Sequence, residues 1–298
     1  MQRYQPLVTA REEFVKVRGL DYRVLHWGPA DAPPVFLLHG FQDCADTFQF
    51  LVDALPRELR FVAPDWRGFG GSERNDSSYW FPDYLADLET LLDHYGDGGP
   101  ATVVGHSMGG NIAGLYAGVR PARIRRLVSL EGFGLPRVDV ERAPDHVAKW
   151  LDQLRKGVEE SRYESSARLA NSLQRRNPRL PAAMAAFVAE AWTRPIGDGG
   201  VMLRFDPWHR LVNAVQYRRD EAEACWRRVQ APTLLLLGGQ SDYRRHLEQN
   251  DGVDEVARFR DCFRHLEVHD FPALGHMLHH EDPSAVAAVI ADWLGRHA

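Results

Sequence analysis

Val104-Gly105-His106-Ser107-Met108-Gly109-Gly110 sets a Gly-x-Ser-x-Gly pattern between two different rhythms. Ahead of it, residues 102–104 are a short β-branched run; behind it, Ile112, Leu115 and Tyr116 recur at helical spacing. A buried strand that runs directly into such a serine and out into a helix lifts the hydroxyl above a sheet. The glycines leave room where strand and helix pack, and the helix N-terminus carries partial positive charge that favours an oxyanion. Glycine-rich patterns recur by chance, but a chance turn does not bring both flanking elements with it. Ser107 is therefore the candidate nucleophile.

The alternation continues on both sides. Residues 14–18 and 22–27 read as a hairpin. Pro34–Leu38 is a continuous apolar run, as a strand covered on both faces should be, and residues 61–64 and 127–130 repeat it. Tyr84, Leu85, Leu88, Leu91 and Leu92 mark a helix between them. Strands alternating with helices imply βαβ units and a mostly parallel sheet. The rhythm stops near Leu135. From there to about Gln230 the chain reads as helices only, with one apolar stripe over Val147, Trp150, Leu151, Leu154 and Val158 and another over Met184, Phe187, Val188, Ala191 and Trp192. It resumes with a strand at 233–237, a helix at 253–263, a strand at 266–271 and a closing amphipathic helix through Ala285, Val286, Val289, Ile290, Trp293 and Leu294. The expected organisation is an α/β core over 1–135 and 230–298, with a helical cap at 136–229 over the carboxyl ends of the strands.

The 298 residues are 44% hydrophobic and 26% charged, a globular composition. A net charge of −5, with arginines in scattered pairs, argues against nucleic acid or an anionic membrane as partner. The polar N-terminus reads as no signal peptide, and no window approaches the ~18 apolar residues of a membrane span. Cys44, Cys225 and Cys262 lie far apart with no CxxC spacing, as expected of reduced thiols in a cytoplasmic protein. His276, His279 and His280 lack a carboxylate at a recognised ligand spacing. No metal or other cofactor is expected, and the expected partner is a small-molecule acyl substrate.

Three further segments, with the elbow, carry a family resemblance: Leu38-His39-Gly40-Phe41-Gln42-Asp43, Asp65-Trp66-Arg67-Gly68-Phe69-Gly70-Gly71-Ser72, and Ala273-Leu274-Gly275-His276 followed by His280-Glu281-Asp282-Pro283. Together they resemble the α/β-hydrolase superfamily, particularly its capped members, over nearly the whole chain outside the insertion. The resemblance implies an α/β-hydrolase fold: a mostly parallel eight-stranded sheet flanked by helices, with an inserted helical cap. It also implies His276 as the general base for Ser107, and the backbone N–H groups of Met108 and Phe41 as oxyanion donors. His106 then shapes the pocket, and His39 supports its loop.

The third member of the triad has two candidates. Most relatives carry an Asp three residues after the glycine that ends the seventh strand. Counting from Gly238 reaches Ser241, and counting from Gly239 reaches Asp242. Glu131, which follows the sixth strand, sits as in the branch resembling haloalkane dehalogenases and epoxide hydrolases. Glu131 is preferred, with Asp242 as the alternative acid. That branch attacks saturated carbon with a carboxylate, leaving an ester that water cleaves; Ser107 would leave a stable ether. Serine thus points to attack at a carbonyl, best a small carboxylic ester, thioester or lactone cleaved through an acyl-enzyme. A C–C bond hydrolase of ring-fission products is the alternative enzyme, and a non-catalytic ligand-binding relative the alternative outside enzymes. Trp150, Phe187, Trp192, Phe205 and Trp208 are candidates to line an apolar pocket, although such aromatics are more often core. The arginines of 204–210 fit either an acidic substrate or a solvated face.

Overall fold

Residues 3–197, 199–250 and 252–297 are described, in a computed structural model. The chain opens with the antiparallel hairpin β1 (Arg11–Val17) and β2 (Leu20–Trp27). Then come β3 (Pro34–Leu38), α1 (Gln49–Ala54), β4 (Arg60–Pro64), α2 (Phe81–Tyr95), β5 (Ala101–His106), α3 (Met108–Val119) and β6 (Ile124–Leu130). A long insertion follows: α4 (Ala143–Lys156), β7 (Arg162–Tyr163), α5 (Ser166–Arg176), α6 (Ala182–Ala191), β8 (Thr193–Pro195), β9 (Val201–Leu203) and α7 (Arg219–Trp226). The chain closes with β10 (Thr233–Gly238), α8 (Asp242–Glu248), α9 (Glu255–Asp261), β11 (Leu266–Phe271), α10 (Leu278–Glu281) and α11 (Pro283–Arg296).

Eight strands form one sheet in the order β1-β2-β4-β3-β5-β6-β10-β11. β2 runs antiparallel to β1 and β4; the rest pair in parallel. The central strands read as unbroken apolar runs because both faces are covered. In β3, Phe36 and Leu38 pack with Leu88 and Leu91 of α2 and Ile112 and Tyr116 of α3. Val35 and Leu37 pack on the other side with Leu51 of α1 and Val286, Ile290 and Trp293 of α11. Burying each such side chain stabilises the fold by roughly 1.5–3 kcal/mol.

The insertion departs from an all-helical reading. β7, β9 and β8 form a small three-stranded sheet. Strands of two or three residues are too short to show the alternation by which strands are read in sequence. The stripe on α4 is also not a core face: Val147 and Leu151 are exposed and α4 has no buried residue. Phe187 and Val188 of α6, by contrast, are buried against Phe50. Phe205 is buried as well, stacked on Phe69, and the Trp192 indole is held by a carboxylate. The expected helix at 253–263 is the shorter α9, and α8 was not legible at all. Cys44, Cys225 and Cys262 are free thiols.

Candidate active site

Sequence puts three residues at three strand ends. β5 turns into α3 through Ser107, which sits at φ 49° and ψ −112°. Backbone in such a sparsely populated region costs roughly 1–3 kcal/mol and persists only where surroundings over-determine it. Here the Ser107 N–H donates to Leu130 O (2.8 Å), and the Asn111 N–H donates to Ser107 O (2.9 Å). Glycine is required on either side. A Cβ on Gly105 would come within 2.6 Å of the Gly109 backbone, and one on Gly109 within 2.1 Å of Leu38 O.

His276 lies on the loop after β11. Its Nε2 is 3.0 Å from Ser107 Oγ, and its Nδ1 is 3.0 Å from Glu131 Oε2. Glu131 follows β6 at φ 56° and is fully buried. A buried carboxylate needs donors. Its Oε1 accepts the Gly238 N–H (2.7 Å), and its Oε2 accepts the Ser241 hydroxyl (2.6 Å) beside the imidazole. With both oxygens accepting, the carboxylate favours the tautomer with the proton on Nδ1, which leaves Nε2 as acceptor for the serine proton. The alternative acid, Asp242, is elsewhere. Its side chain is 95% exposed and pairs with Arg245. β10 ends at Gly238, so the first count holds, and the position three residues on is Ser241.

The orientation of Phe41 follows from peptide geometry. Gly40 C=O and Phe41 N–H belong to one trans peptide, so they point in opposite directions. Two donors hold the carbonyl: His39 Nδ1–H at 2.8 Å and Asp43 N–H at 3.3 Å. The His39 tautomer is settled by its other nitrogen, which accepts the Trp66 N–H at 2.9 Å. Phe41 N–H therefore faces away from both donors, and among the described residues no protein group accepts it. Gly40 itself lies against the elbow, where an added Cβ would be 3.2 Å from Ser107 Cβ. Met108, with the second expected donor, is the first residue of α3.

His106 is buried, and burial pushes its pKa well down, so the ring is neutral. Its Nε2–H donates to the His276 carbonyl at 2.9 Å, linking the elbow to the histidine loop. The structure does not gather His276, His279 and His280 as a ligand set. Asp43, His106 and His279 instead place ligand atoms within 4.8 Å of one another, all buried. That donor set has metal-binding chemistry, but no geometry here assigns it an ion. Sequence reasoning missed Ser241 as a donor and Tyr243, whose ring packs edge-on against His276 at 5.3 Å. The one signal for Ser241 was the missing acid at that count.

The chain is similar to known proteins over most of its length. The profile of the alpha/beta hydrolase fold matches residues 33–283. A serine hydrolase-like protein of Danio rerio is 28% identical over 286 residues, 90% of this chain and 83% of the relative. A cis-3-alkyl-4-alkyloxetan-2-one decarboxylase of Shewanella oneidensis is 25% identical, covering 91% of this chain and 84% of that one. Among solved structures, the thioesterase domain from the curacin biosynthetic pathway superposes with a TM-score of 0.81 at 26% identity, covering 95% of this chain and 99% of that one.

Proposed function

As this chain belongs to the α/β-hydrolase family and is a hydrolase of that fold, we propose that it cleaves a carboxylic ester, thioester or lactone through a Ser107–His276–Glu131 triad. The observation that carries the reading is the unbroken chain of two 3.0 Å contacts from Ser107 Oγ through the imidazole to Glu131. Ser107 Oγ attacks the carbonyl carbon while His276 Nε2 takes its proton. Glu131 holds the imidazolium so formed, and the N–H groups of Phe41 and Met108 bind the oxyanion. His276 then returns the proton to the leaving alkoxide, thiolate or lactone oxygen. A water molecule, deprotonated by His276, cleaves the resulting acyl-serine and regenerates the hydroxyl.

Residues 136–229 act in this proposal as a cap. In support, this segment packs on the loops after β3 and β4: the Trp192 indole N–H donates to Asp43 at 2.8 Å, the Asp206 N–H donates to Gly68 O at 2.7 Å, and His209 stacks on Phe69. Similarity to a serine hydrolase-like protein supports the serine mechanism, and similarity to a thioesterase domain supports an acyl substrate. Among the described residues, no helix is long and apolar enough to cross a membrane.

Ser107→Ala tests the reading. The hydroxyl is small and half-buried, so folding survives. The expected outcome is loss of fluorophosphonate labelling and a fall in kcat of roughly 10⁶ on a responsive acyl ester. Retention of more than a small fraction of activity would sink the serine mechanism, and a wild-type protein that never labels would favour a non-catalytic binding role.

A further inference from the structure

Asp43 stands two residues beyond the oxyanion donor and takes no part in the triad, yet it is 3% exposed and heavily bonded. One oxygen, Oδ1, collects three donors from three parts of the chain: the Cys44 N–H (2.9 Å), the Thr47 hydroxyl (2.8 Å) and the Trp192 indole N–H (2.8 Å). The first two lie in its own loop and the short helix after it. The third lies 149 positions away, at the C-terminal end of α6 in the insertion. The other oxygen, Oδ2, has no hydrogen-bond partner: Nε2 of His280 is 3.7 Å away, and burial pushes that imidazole's pKa down to about 3, so it is neutral. A single carboxylate oxygen thus joins the turn after β3 to the inserted segment.

What it holds is not a relaxed turn. Gln42, between Phe41 and Asp43, sits at φ 61°, a conformation that glycine or asparagine adopts more readily. The bend closes through the Asp43 N–H on the Gly40 carbonyl, whose peptide carries Phe41 N–H. His39 Nδ1–H also holds that carbonyl, and the three donors on the Asp43 side chain anchor the residue whose N–H closes the bend; without them that second bond loosens and the Phe41 N–H has more room to swing. An oxyanion donor acts only when preorganised where charge develops, so such a swing costs rate and leaves ground-state binding alone.

We propose that Asp43 is a positioning residue that fixes the Phe41 N–H in the oxyanion hole and, through Trp192, ties that placement to the inserted segment. The proposal rests on the serine-hydrolase reading. Docking of the insertion then completes the oxyanion hole as well as covering the site.

The test uses the full chain, with active sites counted by exhaustive fluorophosphonate labelling so that misfolded protein drops out. Asp43→Ala, per labelled site, is expected to lose ~10–100-fold in kcat with KM held within about twofold. The Ki of an alkyl trifluoromethyl ketone, whose serine adduct bears an oxyanion, should rise by the factor that kcat/KM falls. Asp43→Asn keeps an acceptor oxygen and should return to within about threefold of wild type. Trp192→Phe removes only the indole donor, leaves the loop's own bonds intact, and should lose ~3–10-fold in kcat with a matching rise in Ki. Trp192→Phe decides the matter if Asp43→Ala does not fold. Unchanged kcat in Asp43→Ala, a loss carried by KM, or failure of Asn to rescue would each overturn the positioning role. A Trp192→Phe protein equal to wild type would overturn the link to the insertion. Wild-type protein that neither labels nor hydrolyses would instead remove the serine-hydrolase reading itself.

Discussion

β6 and β10 are neighbours in the sheet, paired in register at Leu130 and Leu236, and the turns that leave them lie side by side. The first carries Glu131 and the second Ser241 and Asp242. Glu131 is wholly buried and delivers an oxygen to His276 Nδ1; Asp242, one residue beyond a helix cap, is almost wholly exposed. Ser241, where most relatives are expected to carry the acid, points its hydroxyl at the Glu131 carboxylate. In this chain the β6 turn supplies the carboxylate oxygen at His276, and the neighbouring β10 turn supplies two of that carboxylate's hydrogen-bond donors.

The sharpest way to break this comparison is Glu131→Gln. The shape is kept, but an amide nitrogen beside Nδ1 would donate where the carboxylate accepts. The ring would then carry its proton on Nε2, facing Ser107, and could not act as base. The expected result is a fold of unchanged stability to first order and a fall in kcat of roughly 10³–10⁴. If steady-state kinetics show less than about a tenfold loss, the assignment of roles to the two turns is reversed or wrong.

Ser241→Ala probes the partner side. It removes one donor from a buried carboxylate that keeps the Gly238 N–H and the imidazole. It also removes a helix cap, because Ser241 Oγ accepts the Arg244 N–H at 3.1 Å. We expect a kcat loss of about tenfold and a stability loss of about 1 kcal/mol by denaturant titration. No change in kcat would mean that the hydroxyl only caps α8.

What was legible in the sequence follows the physics of each element. Pro34–Leu38 was read to the residue because a strand buried on both faces is apolar throughout. The elbow was legible because its residue pattern is contiguous and sits directly between a strand and a helix, although Gly109 answers to the distant Leu38 carbonyl. Glu131 was legible as a candidate because it ends an apolar strand. The rest depends on contacts that no local pattern encodes. The Asp43–Trp192 bond spans 149 positions, and Gln42 occupies a positive-φ position without the glycine that would signal it. The strands β7 to β9 are two or three residues long, below the reach of periodicity. The stripe on α4 has core-like spacing but none of it is buried, with Val147 and Leu151 exposed and Trp150 and Leu154 half-buried, since periodicity shows which residues share a face and not what meets it.

Asp242→Asn is the smallest expected effect and the cleanest control on the comparison. Asp242 opens α8, where a negative side chain interacts favourably with the helix dipole, and it pairs with the Arg245 guanidinium on the surface. Both interactions are screened by solvent, and exposed pairs of this kind contribute little. Neither reaches His276, whose Nδ1 is already engaged by Glu131. Neutralising Asp242 should leave kcat and KM within about twofold and shift stability by no more than a few tenths of a kcal/mol. It should also leave the pH profile of kcat/KM in place, because removing a charge from solvent barely changes the field at the imidazole. A displaced profile or a large kcat loss in Asp242→Asn, with Glu131→Gln active, would move the acid to the β10 turn. Ser107 and His276 would keep their roles, since either carboxylate can stabilise the same imidazolium.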